Sequence, residues 1–276
     1  MSIFRSQNQS SRLGGGIFRL GAPLLIALAI AGFSYFRYCS TKVYNDHLGI
    51  YQHVAITPEQ EIAIGLQTAP SMIQQHGGID PDQRSQNMVK EVGNKLVQNS
   101  VAAQTPYKYD FHLLAEREMI NAFALPGGQV FITRALFDRL QNVDQLAGVL
   151  GHEIGHVIGR HAGERMTKDG LLQGLAGAAG VAMGDYNSAQ AAQQIAALIG
   201  LKYGRDQELQ SDFLGVKYMM DSGYNPEELI GVMEILKEAS GGKRQEEFTS
   251  THPDPENRKE KILEAIKHHK SQGSKN

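Results

Sequence analysis

Cysteine is almost missing: Cys39 is the single one among 276 residues. A lone cysteine closes no internal disulfide. It also excludes a zinc site of several thiolates and an iron–sulfur cluster. A strong excess of one charge is missing too. The net charge of −2 gives no electrostatic footprint for nucleic acid. Internal repeats are absent. What is present describes a globular chain, with 41% hydrophobic and 20% charged residues and room for one large domain or two small ones. With thiolates excluded, the ten histidines become the metal-capable residues.

No acidic residue precedes Asp46. Arg5, Arg12 and Arg19 lead into an uncharged run, Leu20–Phe36, followed by Arg37 and Lys42. As a helix the run spans about 25 Å, the short end of what crosses a bilayer. Tyr35, Phe36 and Tyr38 fall where an aromatic belt lies. Three readings fit: an uncleaved single-pass anchor, a signal peptide cleaved near Ala31 at Ala29-Ile30-Ala31, or a transit peptide. In a bacterium the first two place the remainder on the extracytoplasmic side. The expected organisation is a basic tail over 1–19, an apolar helix over 20–38, a linker over 39–56, a folded domain over 57–270 and a frayed tail over 271–276.

Thr57 before Pro58, Glu59 and Glu61 is a helix start that should run to His76 and stop at Gly77-Gly78. A second helix begins near Asp82, with Met88, Val89, Val92, Leu96 and Val97 at helical spacing. Tyr109, Phe111 and Leu113 alternate as in a strand. Ile120–Leu125, the turn Pro126-Gly127-Gly128, and Gln129–Ile132 read as a hairpin. From Arg134 the pattern is helical almost to the end, broken at Gly223 and Pro226. The Gly- and Ala-rich stretch 171–184 reads as a mobile or membrane-touching segment too short to span. The fold class is therefore α+β, mostly helical with a small sheet, preceded by one apolar helix.

His152-Glu153-Ile154-Gly155-His156 is an H-E-x-x-H motif. Asn142 with Gln145 forms a possible capping box ahead of it. Leu146, Val149, Leu150, Ile154, Val157 and Ile158 supply an apolar face. On that helix His152 and His156 stand one turn apart on one side, so both imidazoles reach one ion. Glu153 is rotated about 100° from His152. Its carboxylate falls beside the open position of a zinc ion, where it can take a proton from a water and pass it to a leaving amine.

A zinc hydrolase needs a third protein ligand. Glu208 and Asp212 lie four apart in the polar run from Tyr203 and face the same way. Glu208 is read as the ligand and Asp212 as the group that holds a ligand imidazole by its other nitrogen. A solvated acidic helix face has the same spacing. His161, about 140° further round the helix than His156, should miss the ion and act in support. Thr251-His252-Pro253-Asp254-Pro255-Glu256-Asn257-Arg258 is a proline-fixed loop. His252 and Arg258 there suit an oxyanion-stabilising pair, or an ordinary capped turn. His47, His53, His76, His112, His268 and His269 read as surface residues.

The chain resembles the M48 family of zinc metallopeptidases over about residues 57 to 268. Four features carry the likeness: Asn121-Ala122-Phe123 with Pro126-Gly127-Gly128, Gly151-His152-Glu153-Ile154-Gly155-His156, Arg205 with Glu208 and Asp212, and His252-Pro253 with Arg258. The resemblance implies a zincin-like fold of the gluzincin kind, with one zinc per subunit on His152, His156 and Glu208. It implies Arg205 and Asp212 in support of those ligands, and His252 and Arg258 approaching the metal. In some members the matching histidine occupies the fourth position and keeps the enzyme latent. It implies that Asn121, Ala122, Phe123 and Ala124 form an edge strand to which an extended polypeptide adds. The expected substrates are unfolded or damaged proteins, and membrane contact comes through the amino-terminal helix. Ser211 departs from the usual alanine before the aspartate. The chain also lacks the several membrane spans of the prenyl-protease members.

Overall fold

The computed structural model describes residues 16–183, 204–239, 252 and 257–273. The basic tail up to residue 15, Gly184, Tyr203, Thr251 and the Pro253–Glu256 stretch lie outside the described residues. The chain divides into two compact units, Met1–Ser40 with Asp169–Ile199, and Thr41–Lys168 with Gly200–Asn276.

The first unit contains α1 (Gly16–Cys39). Its Gly21–Cys39 part is long and apolar enough to cross a bilayer. Leu24, Leu25, Ile26, Leu28, Phe33 and Phe36 are exposed.

The second unit opens with a correction. The segment read as a linker is a hairpin, β1 (Lys42–Asn45) and β2 (Ile50–His53), paired antiparallel with Asn45 opposite Ile50. Tyr44 and Tyr51 pack ring on ring at 5.0 Å on its outer face. Asn45 and Gln52 are buried on the inner one.

α2 (Pro58–Gln75) starts where the capping residues place it. Thr57 Oγ1 accepts from the Gln60 N–H, and Gln60 returns a bond to the Thr57 N–H. Gly77 and Gly78 end it with φ of 79° and 93°, a backbone that glycine adopts without strain. α3 (Gln83–Gln98) is capped by Asp82.

β3 (Asp110–Leu114), β4 (Ala122–Ala124) and β5 (Gln129–Thr133) form a sheet in the order β3-β5-β4. β5 runs parallel to β3 and antiparallel to β4. All five β5 residues are buried. The turn before it lies hard against α2: a Cβ on Gly127 would collide with the backbone of Ile62. β4 is one of the two outer strands of this sheet.

The remaining helices are α4 (Arg134–Phe137), α5 (Val143–Ile158), α6 (His161–Met183), α7 (Arg205–Asp221), α8 (Glu228–Ala239) and α9 (Arg258–Gly273). α9 thus extends past residue 270, into the stretch read as a frayed tail. α5 is buried from Gln145 to Ile158, as expected for a helix surrounded by protein. Its neighbours in the core include Val92 and Leu96 of α3, Ile132 of β5, Val216 and Met219 of α7, Leu229 and Val232 of α8, and Ile262 of α9. Each such side chain, fully buried, stabilises the fold by about 1.5–3 kcal/mol.

α5 and α7 meet backbone to backbone. A Cβ on Gly155 would lie 2.8 Å from Ser211 O and 2.9 Å from Ser211 Cα. One on Gly215 would lie 3.0 Å from His152 N. No side chain larger than hydrogen fits at Gly155 without parting the helices. This seam brings the H-E-x-x-H helix and the Glu208 helix within reach of one point.

Candidate metal centre

Asn142 caps α5, its Oδ1 accepting from Gln145 N–H at 2.9 Å. The capping box is only half formed. The Gln145 carbonyl oxygen takes the Gln141 N–H, and its amide donates to Glu228 of α8.

One turn of α5 separates His152 from His156, and their Nε2 atoms lie 3.0 Å apart. Glu208 enters from α7. Its Oε2 is 3.4 Å from His152 Nε2, and its Oε1 is 3.5 Å from His156 Nε2. Zinc–nitrogen and zinc–oxygen bonds of about 2.0–2.1 Å give a tetrahedron with edges of about 3.3–3.4 Å. The three donor separations fit that size. His252 also joins: Nδ1 is 3.1 Å from Glu208 Oε1, and the donor atoms of His152, His156, Glu208 and His252 all lie within 4.8 Å of one another. These four buried side chains could hold a metal ion.

The outward-facing nitrogens settle the tautomers. His152 Nδ1 meets Asp212 Oδ1 at 2.8 Å. A carboxylate only accepts, so Nδ1 carries the hydrogen. Burial opposes a second proton on the ring, but the bonds to Asp212 and Glu208 outweigh it and raise the His152 pKa to about 10, so Nε2 offers a lone pair once a cation displaces that proton. His161 Nε2 meets Gln210 Oε1 at 3.0 Å, and His161 Nδ1 meets His156 Nδ1 at 2.9 Å. His161 therefore donates to Gln210 and accepts from His156, leaving the His156 Nε2 lone pair inward as well. The His152 Nε2, the His156 Nε2 lone pair and the Glu208 carboxylate converge on one buried point, where a cation could take the place of the His152 proton.

Asp212 is held in turn by Arg258, with Nε to Oδ2 at 2.7 Å and Nη2 to Oδ1 at 2.9 Å. Burial works against the Asp212 charge; the guanidinium and the His152 bond outweigh it and hold the carboxyl below its usual value. Glu153 lies beside the cluster, 1% exposed. Its Oε1 is 3.8 Å from His252 Nε2, and its Oε2 accepts no hydrogen bond among the described residues. Burial pushes its carboxyl up.

The remaining expectations fare unevenly. Arg205 is exposed in the first turn of α7; the guanidinium that grips Asp212 is that of Arg258. The same guanidinium borders the cluster, with Nη2 3.5 Å from Glu208 Oε2. His161 is not on the same helix as His156. The chain leaves α5 at Gly159, turns through Arg160 at φ 56° and restarts at His161. His76 and His112 are not surface residues. His76 is 8% exposed beside Phe123, and His112 stacks on Phe131 at 4.8 Å.

Asn121 gives its N–H to Thr133 Oγ1 and accepts Thr133 N–H, so its main chain faces β5. Antiparallel alternation then turns the main chains of Ala122 and Ala124 to the outer edge. Phe123 stacks on Phe131 at 4.9 Å. Ala122 is 0% and Ala124 8% exposed. A peptide adding a strand has to displace what covers them.

Sequence reasoning missed Arg258 as the partner of Asp212, and Gln210 behind His161. For Arg258 the only signal was its place at the start of the last helix. For Gln210 it was the position two after Glu208, on the other side of the same helix.

The model of peptidase family M48 matches residues 83–266. The beta-barrel assembly-enhancing protease of Escherichia coli K12 is 32% identical over 182 residues, 62% of this chain and 36% of that protein. The mitochondrial metalloendopeptidase OMA1 of Arabidopsis thaliana is 27% identical over 157 residues, 55% of this chain and 31% of that protein. Metalloprotease YcaL of Escherichia coli K12 is 28% identical over 187 residues, 66% and 69% of the two chains. The chain spans about a third of the length of the first two relatives.

Proposed function

The chain belongs to peptidase family M48, and from that premise we propose that it is a zinc endopeptidase acting on unfolded or damaged proteins. The observation that carries the reading is the convergence of His152 Nε2, His156 Nε2 and the Glu208 carboxylate on one buried point. These three residues would hold the ion. Zinc would supply Lewis acidity there, polarising a peptide carbonyl and making a water more acidic.

The chain's own residues do the rest. Glu153 takes a proton from the attacking water on a carboxylate oxygen and hands it to the leaving amine. Its buried Oε2, which has no hydrogen-bond partner among the described residues, supports that role. Asp212 fixes the tautomer and direction of His152, and Arg258 fixes Asp212. His252 and Arg258, whose Nη2 lies 3.5 Å from Glu208 Oε2, stabilise the developing oxyanion. The edge of β4 aligns an extended polypeptide. α1 serves as a membrane anchor or an export signal, with the second unit on the extracytoplasmic side. The names of two relatives, an assembly-enhancing protease and a mitochondrial metalloendopeptidase, support a place in protein quality control.

A second reading rests on His252. Its approach to Glu208 supplies a fourth donor, and four protein donors make a closed, structural site. The chain would then be a latent protease, or a chaperone or assembly factor using the same groove. Casein hydrolysis by the full chain in detergent, with and without chelator and beside Glu153→Gln, separates these readings. Activity lost to both treatments supports the protease. Activity retained in Glu153→Gln ends it. Silence throughout, broken only by His252→Ala, establishes latency.

A further inference from the structure

We propose that Asn45 and Gln52 are positioning residues for metal binding: their side-chain amides close the carboxyl end of the helix that carries His152, Glu153 and His156. The inference rests on the metal reading above and extends it to a segment that the sequence presents as a linker.

A helix ends with up to four carbonyls that no following N–H reaches. α5 ends inside the protein, where water does not reach them. Asn45 Nδ2 donates to Ile158 O at 3.0 Å, and Gln52 Nε2 donates to Gly159 O at 3.0 Å. Both bonds are buried. Asn45 and Gln52 are 6% and 3% exposed. They share one face of the β1–β2 hairpin, because Asn45 pairs with Ile50, two residues from Gln52. Burying two amides is costly unless each finds a partner. Here the partners are the carbonyls that α5 would otherwise leave bare.

The location decides the consequence. Ile158 and Gly159 lie between His156 and His161, whose rings meet at 2.9 Å. A last turn that frays therefore moves His156 against His161. His152 sits a turn earlier and is held separately by Asp212. The hairpin thus acts on one of the two imidazoles.

Asn45 has a second set of bonds. Its Oδ1 accepts the N–H groups of His47 and Leu48 in the hairpin turn. Asn45→Asp keeps those acceptors, loses the donor and sets a carboxylate against Ile158 O. Asn45→Ala loses both sets. The full chain would be titrated with zinc against a chromophoric chelator, and its cobalt form followed by visible absorption. If the amide positions the helix, Asn45→Asp binds zinc about tenfold more weakly than wild type and no better than Asn45→Ala. If the residue serves only the hairpin turn, Asn45→Asp binds like wild type while Asn45→Ala is weak, and the proposal falls.

Gln52→Leu is the independent second variant. It removes the donor at similar volume, and the Gln52 Oε1 has no partner to lose among the described residues. The same loss of affinity and an altered cobalt band are expected; wild-type affinity overturns the proposal. Val89→Ala, in the core on α3, is the control for simple destabilisation. An equal loss of zinc there would also overturn the proposal. A wild-type chain that binds no zinc removes the metal reading and this inference together; tight wild-type binding unchanged in every variant removes the inference alone.

Discussion

Arg258 holds Asp212 by a two-point grip, 2.7 Å and 2.9 Å, inside the protein. Asp212 in turn holds His152. Removing the guanidinium leaves a buried carboxylate without its cation. Arg258→Ala should lower stability by about 3–5 kcal/mol and zinc affinity by about 10–100-fold. Arg258→Lys should recover only part of both, since an ammonium cannot reproduce the fork. Thermal unfolding and chelator competition check the two effects.

Glu153→Gln should keep zinc and lose hydrolysis. The side chain keeps its volume, and the donors on His152, His156 and Glu208 are untouched. A drop in turnover of about 10²–10⁴-fold is expected. Metal analysis of the purified variant, beside its casein assay, tests the pair of statements. A variant that loses its metal would make Glu153 part of the metal's support instead.

His252→Ala should raise peptidase activity if the ring, 3.1 Å from Glu208, shuts the site. It should lower turnover if the ring steadies the oxyanion. The direction of change in initial rate distinguishes the two roles, and the metal content should be unchanged in either case.

Gly155→Ala should be destabilising by about 1–3 kcal/mol, because the added carbon meets the backbone of Ser211. Zinc affinity should fall with it. Gly170→Ala, whose Cβ would meet nothing within 4 Å, should instead gain about 0.5–1 kcal/mol of helix stability. Denaturant unfolding of the two variants measures the contrast.

Asp82 provides a pH test. Bonds from Ser85, the Arg134 guanidinium, and the backbone N–H groups of Ser85 and Arg84 lower its carboxyl from 3.8 to about 2. A lowered folded value means that the carboxylate stabilises the native state above about pH 4. The contribution is lost as pH falls from there through about 2. Asp82→Asn should flatten the acid limb of the stability curve over that window, as read by circular dichroism.

Local signals were legible where one residue decides. Thr57 and Asp82 cap the helices that their positions foretell. Helical spacing puts His152 with His156 on one face of α5 and Glu208 with Asp212 on one face of α7, and the glycine seam brings the two pairs together. What stayed hidden depends on distant chain. Asn45 and Gln52 look like surface residues, and only the buried end of α5, more than a hundred residues away, explains them. Arg205 stands beside Glu208 in sequence and points to solvent, whereas Arg258 comes from the last helix. His161 was placed by extending α5 through Arg160, where the backbone leaves the helix. The parallel pairing of β3 with β5 has no local signature, since strand direction follows from the connection and not from the alternation.

The glycine seam between α5 and α7 makes the site a calliper. Its jaws are backbone atoms in van der Waals contact, which neither compress nor adapt as side chains do. The opening is set at donor separations of 3.0, 3.4 and 3.5 Å. A change at Gly155 or Gly215 would therefore reset the spacing between His152, His156 and Glu208, although neither glycine offers a donor atom.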